Sequence, residues 1–313
     1  MKKRTTAIAA ALSVLVCGSP FLTGCSFSFR GNTVFQNALE KQNASDFLGA
    51  ISDYSKAIEI DPNYVDAYVN RGVAKSNLGD NSGAIFDYNK AIEINPKYVL
   101  AYYNRGIAKE NLQDYSGAIY DYNKAIEIDP EYVDAYVNRG VAKSNLGDNS
   151  GAIYDYDKAL KINPKYALAY YNRGIAKGNL QDYSGAINDY NKSIELNPRY
   201  INAYINRGLI KDEQLQDPYG AISDYSKAIE INPKYALSYY NRGIAKSKIG
   251  DNSGAISDYS KAIEINPNYL DAYINLGVEK NNVGEMKGAC FNWTKASGLG
   301  DEDATKWVKE YCQ

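Results

Sequence analysis

The chain has 313 residues, with 35 basic and 37 acidic side chains interspersed to a formal net charge of −2. No basic block points to nucleic acid and no acidic tail points to disorder. Histidine is absent, which excludes the commonest general base, the Ser-His and Cys-His nucleophile pairs, and every histidine-containing metal site. Tyrosine is the outlier, at 30 residues against 7 Phe and 2 Trp. Such a bias is that of one aromatic position copied many times, so internal repeats are the first thing to seek.

The chain opens on Lys2, Lys3 and Arg4, followed by an apolar stretch from Ala7 to Val16 that extends loosely through Phe21 and Leu22. This is the layout of a bacterial export signal. As an uncleaved membrane anchor it would be broken by Gly18, Ser19, Pro20 and Gly24. Leu22-Thr23-Gly24-Cys25 resembles the lipobox of bacterial lipoproteins. The resemblance implies cleavage before Cys25 and acylation of its thiol. Cys17 is the worse candidate, because bulky Val16 precedes it. Loss of the three basic residues would take the formal charge from −2 to −5. Several acyl chains, at about 0.8 kcal/mol per buried methylene, would anchor the protein stably. The expected location is therefore the bacterial cell envelope, with a signal over 1–24 and a short tether over 25–30.

Asp61-Pro62, Asn95-Pro96, Asp129-Pro130, Asn163-Pro164, Asn197-Pro198, Asn232-Pro233 and Asn266-Pro267 recur at intervals of 34 residues, once of 35. Between prolines, Ala84, Ile85, Tyr88, Ala91 and Ile92 lie on one helical stripe. Ala67, Tyr68, Gly72 and Lys75 give a preceding helix a narrower face. Gly72 and its equivalents Gly106, Gly140, Gly174, Gly208, Gly243 and Gly277 sit inside that helix, each at a cost of about 1 kcal/mol against alanine. A cost accepted seven times implies that the partner helix approaches closely there. Proline ends each second helix, because the residue before it avoids helical geometry. Neither helix buries its stripe alone, so the units are expected to stack and share a core.

The period, with Tyr68, Gly72, Gly79, Ala84, Tyr88, Ala91 and Pro96 in one unit, closely resembles the tetratricopeptide repeat family, with Arg71 standing where that family usually carries leucine or alanine. The resemblance implies an all-α fold, an α-solenoid in the form of a right-handed superhelix of helix-turn-helix repeats. Seven full units run from Val65 to about Gly298 and a degenerate one, Gly31 to Tyr64, precedes them, giving eight repeats over 31–298. A capping helix is expected over 299–313, with Ala304, Trp307, Val308 and Tyr311 on its apolar stripe. Tyr68, Tyr88, Tyr98 and their equivalents read as packing residues. Cys290 lies ten residues before Gly300 and Cys312 ten residues after Glu302. In an antiparallel hairpin turning near Asp301 they face one another, and an exported protein permits a disulfide between them. No metal site is expected from two cysteines without histidine.

Arg71, Arg105, Arg139, Arg173, Arg207 and Arg242 share one repeat position; Asp53, Asp87, Asp121, Asp155, Asp189, Asp224 and Asp258 share another. In the last repeat both change together, to Leu276 and Asn292. A structural Arg–Asp pair between helices explains this, and the sequence leaves open whether it lies within a repeat or between neighbours.

In the family the first helices line the concave surface. The position before the arginine is Asn70, Asn104, Asn138, Asn172, Asn206, Asn241 and Asn275, with Gln36 in the degenerate unit. A primary amide offers donor and acceptor together and matches a peptide group whatever side chain it carries. The row resembles the asparagine ladder with which some tetratricopeptide superhelices hold extended peptides. Beside it, Tyr103, Tyr171 and Tyr240 alternate with Val69, Val137, Ile205 and Ile274, which predicts regularly spaced tyrosines in a groove. The segments 64–85 and 132–153 are identical over 22 residues, so recent duplication also accounts for the alternation. The chaperone-docking members need Lys and Asn one turn apart on the first helix; here Val69 and Val73, or Tyr103 and Ile107, hold those places. Asp80-Asn81-Ser82-Gly83, copied at Asp148 and Asp251, resembles half a calcium loop but reads as turn chemistry. Repeat six carries one extra residue near Gln214, and Pro218 near its turn.

These readings predict a non-catalytic, lipid-anchored scaffold without cofactor. It would bind a protein or extended peptide on its concave face, in assembly of envelope or membrane complexes. The alternative is a cytoplasmic adaptor or assembly factor with an uncleaved N-terminal anchor.

Overall fold

The computed structural model describes residues 24–312, and all regular structure among them is helical. The export signal expected over 1–24 lies outside the described residues but for Gly24, as do the side chains of 24–30, that of Cys25 included.

The chain divides into two compact units, one closing at Ala108 and the other opening at Lys109. In the first unit α1 (Gly24–Asn43) packs on α2 (Phe47–Ile60) and α3 (Val65–Asn77) on α4 (Asn81–Ile94), with α2 also against α3. Residues 99–108 of α5 (Val99–Asn111) complete it, Ala101 and Ala108 joining the cluster of Ala84, Tyr88 and Ala91. The second unit continues with α6 (Tyr115–Ile128). Five hairpins follow: α7 (Val133–Asn145) with α8 (Asn149–Ile162), α9 (Ala167–Asn179) with α10 (Tyr183–Leu196), α11 (Ile201–Leu209) with α12 (Pro218–Ile231), α13 (Ala236–Lys248) with α14 (Asn252–Ile265), and α15 (Leu270–Asn282) with α16 (Met286–Gly298). Helix α17 (Glu302–Tyr311) packs on α16. The helical backbone of α1 already begins at Gly24. The stretch read as a tether over 25–30 contains no proline, and its backbone runs helically into the first repeat.

Local chemistry sets the boundaries. Asp46, Asp80, Asp114, Asp148, Asp182, Asp217 and Asp251 each cap a second helix by accepting from the N–H of the glycine three residues on, at 2.8 Å for Asp80 and Gly83. A cap of this kind contributes about 1 kcal/mol, and it is the role of the Asp80-Asn81-Ser82-Gly83 turn. At the other end Asn95 is extended at φ −131°, and Pro96 prevents the helix from resuming. The extra residue of repeat six is absorbed by a π-turn over Ile210–Gln214, where the Leu215 N–H reaches back to the Ile210 carbonyl at 3.1 Å. Pro218 then takes the first turn of α12, where its missing N–H costs nothing.

The helical glycines have a specific neighbour. A Cβ on Gly72 would lie 2.6 Å from the Tyr88 ring, one on Gly140 2.6 Å from Tyr156, and one on Gly243 2.6 Å from Tyr259. What approaches is thus a tyrosine ring of the second helix, packed directly against bare backbone. Tyr54, Tyr88, Tyr122, Tyr156, Tyr225 and Tyr259 are all but fully buried, beside alanines with no exposure. In the last repeat Trp293 replaces the tyrosine, against Gly277.

Gly140→Ala gains about 1 kcal/mol of helix propensity and loses about 1–3 kcal/mol by overpacking. We expect a lower thermal midpoint by circular dichroism. Gly298→Ala, whose Cβ meets nothing within 4 Å, should leave the midpoint unchanged or raise it. A Gly140→Ala protein melting with the wild type would contradict the ring-on-backbone contact.

Candidate partner-binding surface

The first helix of each hairpin carries the residues that the sequence marks, and its orientation is fixed by an ion pair. Arg71 on α3 grips Asp87 on α4 with Nε at 3.0 Å and Nη2 at 2.7 Å. Lys75, one turn on, meets the same carboxylate at 2.8 Å. The pattern repeats as Arg139 and Lys143 on Asp155, Arg173 and Lys177 on Asp189, Arg207 and Lys211 on Asp224, and Arg242 and Lys246 on Asp258. The Arg–Asp pair therefore lies within a repeat. The remaining nitrogen, Nη1, turns to the preceding second helix: Arg71 donates to Ser55, Arg105 to Asn89, Arg139 to Asn123, Arg173 to Asp157, Arg207 to Asn191 and Arg242 to Ser226. Asp53, the aspartate without an arginine, is held by Lys41 and Lys56, whose hydrogen bonds keep its carboxyl below the usual range.

With the helix so held, the asparagine row faces inward between helices. Asn70, Asn138, Asn172 and Asn241 are buried; Asn104, Asn206 and Asn275 are half-buried. Asn70 Nδ2 donates to the Asp66 carbonyl at 2.8 Å. Asn206 and Asn275 donate to the hydroxyls of Tyr171 and Tyr240, each at 3.2 Å. The alternating tyrosines are thus joined to the row. Tyr103 is buried. Tyr171 packs on Tyr190 and Tyr200 at 6.0 and 4.7 Å between ring centroids, and Tyr240 on Tyr259 and Tyr269 at 5.9 and 4.9 Å. The amide edges left without a protein partner are Oδ1 of Asn70 and Nδ2 of Asn172 and Asn241.

A second amide row escaped the sequence reading. Asn77, Asn111, Asn145, Asn179 and Asn282 stand seven residues after the first row and are exposed, two helical turns or about 10.5 Å further along each first helix. Asn77 and Asn145 donate to the carbonyls of Val73 and Val141. The same 34-residue period would have found them.

Acid–base chemistry has little to work with. Burial pushes the hydroxyls of Tyr54, Tyr88, Tyr190, Tyr225 and Tyr259 well above the ordinary tyrosine value. That of Tyr64 is pushed up to about 12, by burial first and then by Asp66 and Asp61. These groups stay neutral near pH 7. Among the described residues no cluster of three or more His, Cys, Asp or Glu is arranged to hold a metal, and no helix is long and apolar enough to cross a membrane. Cys290 and Cys312 come together between α16 and the end of α17, with Cα atoms 5.5 Å apart, a separation that a disulfide spans.

A family profile described as TPR repeat matches residues 46–79, 77–113, 111–147, 144–181 and 219–250, and one described as Tetratricopeptide repeat matches 167–200 and 236–269. The chain belongs to the tetratricopeptide repeat family. Repeats of this family serve generally as non-enzymatic interaction scaffolds. A tetratricopeptide repeat protein from Parabacteroides merdae matches with a TM-score of 0.61 and 21% identity, over 80% of this chain and 98% of that one. The C-terminal part of a TPR repeat-containing protein from Cytophaga hutchinsonii matches with a TM-score of 0.61 and 21% identity, over 76% and 97%. Both are likenesses of fold. MamA is 30% identical over 51% of this chain and 93% of its own, with a TM-score of 0.48. No curated protein matches the chain.

Proposed function

We propose that this tetratricopeptide repeat protein is a non-catalytic scaffold that holds an extended peptide segment of a partner protein along the faces of its first helices. The observation that carries the reading is the recurrence of amides at two fixed positions of the first helices, a deeper row in all seven full repeats and an exposed row in five of them, interrupted by Glu213 and Lys248. Each amide can donate and accept, so a run of them suits a peptide backbone of almost any sequence.

The scaffold is exported and lipid-anchored in this reading, with Cys25 acylated after cleavage and Cys290 bonded to Cys312. The lipobox at 22–25 and the basic-then-apolar start support the first part. The proximity of the two sulfur atoms supports the second. Assembly of envelope or membrane complexes is the setting that such an anchored scaffold suits.

A partner identified by crosslinking to the purified mature protein should bind at least tenfold more weakly when Asn138, Asn172 and Asn206 are replaced by alanine, with helicity retained. Asn145→Ala with Asn179→Ala, at exposed positions, should weaken it without touching stability. Unchanged affinity in both variants would refute the amide rows as the binding surface. Intact mass under non-reducing conditions should show a chain that begins at acylated Cys25 and carries no free thiol. A chain retaining Met1 would favour the cytoplasmic adaptor instead, and two free thiols would exclude the disulfide.

A further inference from the structure

The hairpin α15–α16 departs from the repeat pattern at several positions that converge on one groove, away from the amide rows. In five other repeats a lysine on the second helix is neutralised by the glutamate three residues on: Lys90 by Glu93, Lys124 by Glu127, Lys192 by Glu195, Lys227 by Glu230 and Lys261 by Glu264, at 2.6–2.8 Å. In the last repeat Gly298 stands in place of that glutamate. Lys295 is left with no carboxylate, its ammonium 5.6 Å over the ring of Phe291; Lys158, followed by Lys161 in place of the glutamate, lies likewise 5.2 Å over Tyr154, but no second lysine replaces Ser150 there as Lys287 does here. Two further substitutions lie on the same helix face. Relative to the preceding repeat, Lys287 replaces Ser253 and Phe291 replaces Ser257. Phe291 is 61% exposed, as exposed as its counterparts Phe86, Tyr120 and Tyr154 in earlier repeats, and Leu299 lies beside it at 40%; what sets this end apart is that the exposed ring stands between two unpaired lysines.

These residues line a cavity of about 890 Å³ between α16, α17 and the turn before α15, floored in part by Cys290 and Cys312. None of its lining residues is acidic, and neither Lys287 nor Lys295 has an acidic partner among the described residues. Asn268 and Thr294 add hydrogen-bonding groups to its wall.

We propose that this groove is a second binding site, for a peptide segment of a partner that presents acidic residues beside leucine or phenylalanine. Apolar side chains cover Phe291 and Leu299, and carboxylates pair with Lys287 and Lys295, whose charge the fold leaves uncompensated. The concave form and the amide and hydroxyl in its wall suit a peptide rather than a flat anionic membrane. The site is independent of the amide rows, so either can fail without the other.

The test uses the mature protein and three probes: a fluorescent, end-blocked peptide alternating aspartate with leucine and phenylalanine, its lysine counterpart, and phosphatidylglycerol vesicles. Trp293 and Trp307, the two tryptophans of the chain, lie 5.4 Å apart between ring centroids at this end, so their emission reports locally. The acidic peptide should bind saturably and change that emission, while the lysine peptide should not. Lys287→Ser with Phe291→Ser restores the residues of the preceding repeat, and Gly298→Glu restores the partner of Lys295. Each should weaken binding at least tenfold with helicity and melting unchanged. The Asn138, Asn172 and Asn206 alanine variant should bind as the wild type does. Equal binding of both peptides, undiminished binding in both groove variants, loss of binding in the asparagine variant, or binding to vesicles alone would overturn the proposal.

Discussion

In each of six repeats one guanidinium ties the first helix to the second helix that precedes it. Arginine presents its donors in a rigid fork, and here the fork is divided between two tasks. Nε and Nη2 close on an aspartate of the same hairpin, while Nη1 reaches the second helix of the preceding one. A lysine offers no such geometry; Lys143 and its equivalents stay within their own hairpin, on the aspartate and, for Lys75 and Lys109, on a carbonyl of the second helix's first turn. The carboxylate of Asp155 has no exposure, so its desolvation is tolerable only because two cations and well-formed hydrogen bonds surround it. Removing one member would leave charge stranded. That coupling explains why both positions change together in the last repeat. There Leu276 is buried among apolar neighbours, and Asn292 turns back on the Gly288 carbonyl.

The tyrosine laid on each helical glycine and the forked arginine act on the same first helix from two sides. The ring brings the helices close; the fork fixes rotation. With rotation fixed, the asparagine before the arginine points between helices, and the one seven residues later points outward. The two amide rows are therefore a by-product of the packing scheme as well as a candidate recognition surface. At the C-terminal end the scheme stops and other chemistry replaces it. Trp293 meets Trp307, α17 covers Ala289 and Ala296, and charges elsewhere paired are left open.

Much of the fold was legible because the period multiplies weak signals. A single glycine in a helix says little; seven at one position demand a packing reason. Proline after each second helix gave a boundary in the same way, whereas the aspartates at the turns, read only as turn chemistry, are caps whose acceptor role shows in the structure. The partner of the arginine was not legible, because residues 16 apart along the chain can meet within a hairpin or across two, and only packing decides. Nor was the depth of the asparagine row. Helical position gives direction, whereas burial of Asn172 depends on how far the neighbouring hairpin advances. The extra residue near Gln214 was visible as a count, but its absorption in a π-turn follows from backbone hydrogen bonding that no side chain announces. The groove at the last repeat is marked in the sequence by Gly298 and Lys287, which break the repeat pattern.

The link between hairpins is tested most directly by a double-mutant cycle on Arg139 and Asn123, which meet at 2.6 Å. Arg139→Met, Asn123→Ala and the double variant would be unfolded in urea alongside the wild type. A guanidinium that ties successive hairpins predicts a coupling of about 0.5–1.5 kcal/mol between the two sites. Effects that simply add would contradict it, and would leave Arg139 as a strut of its own hairpin alone.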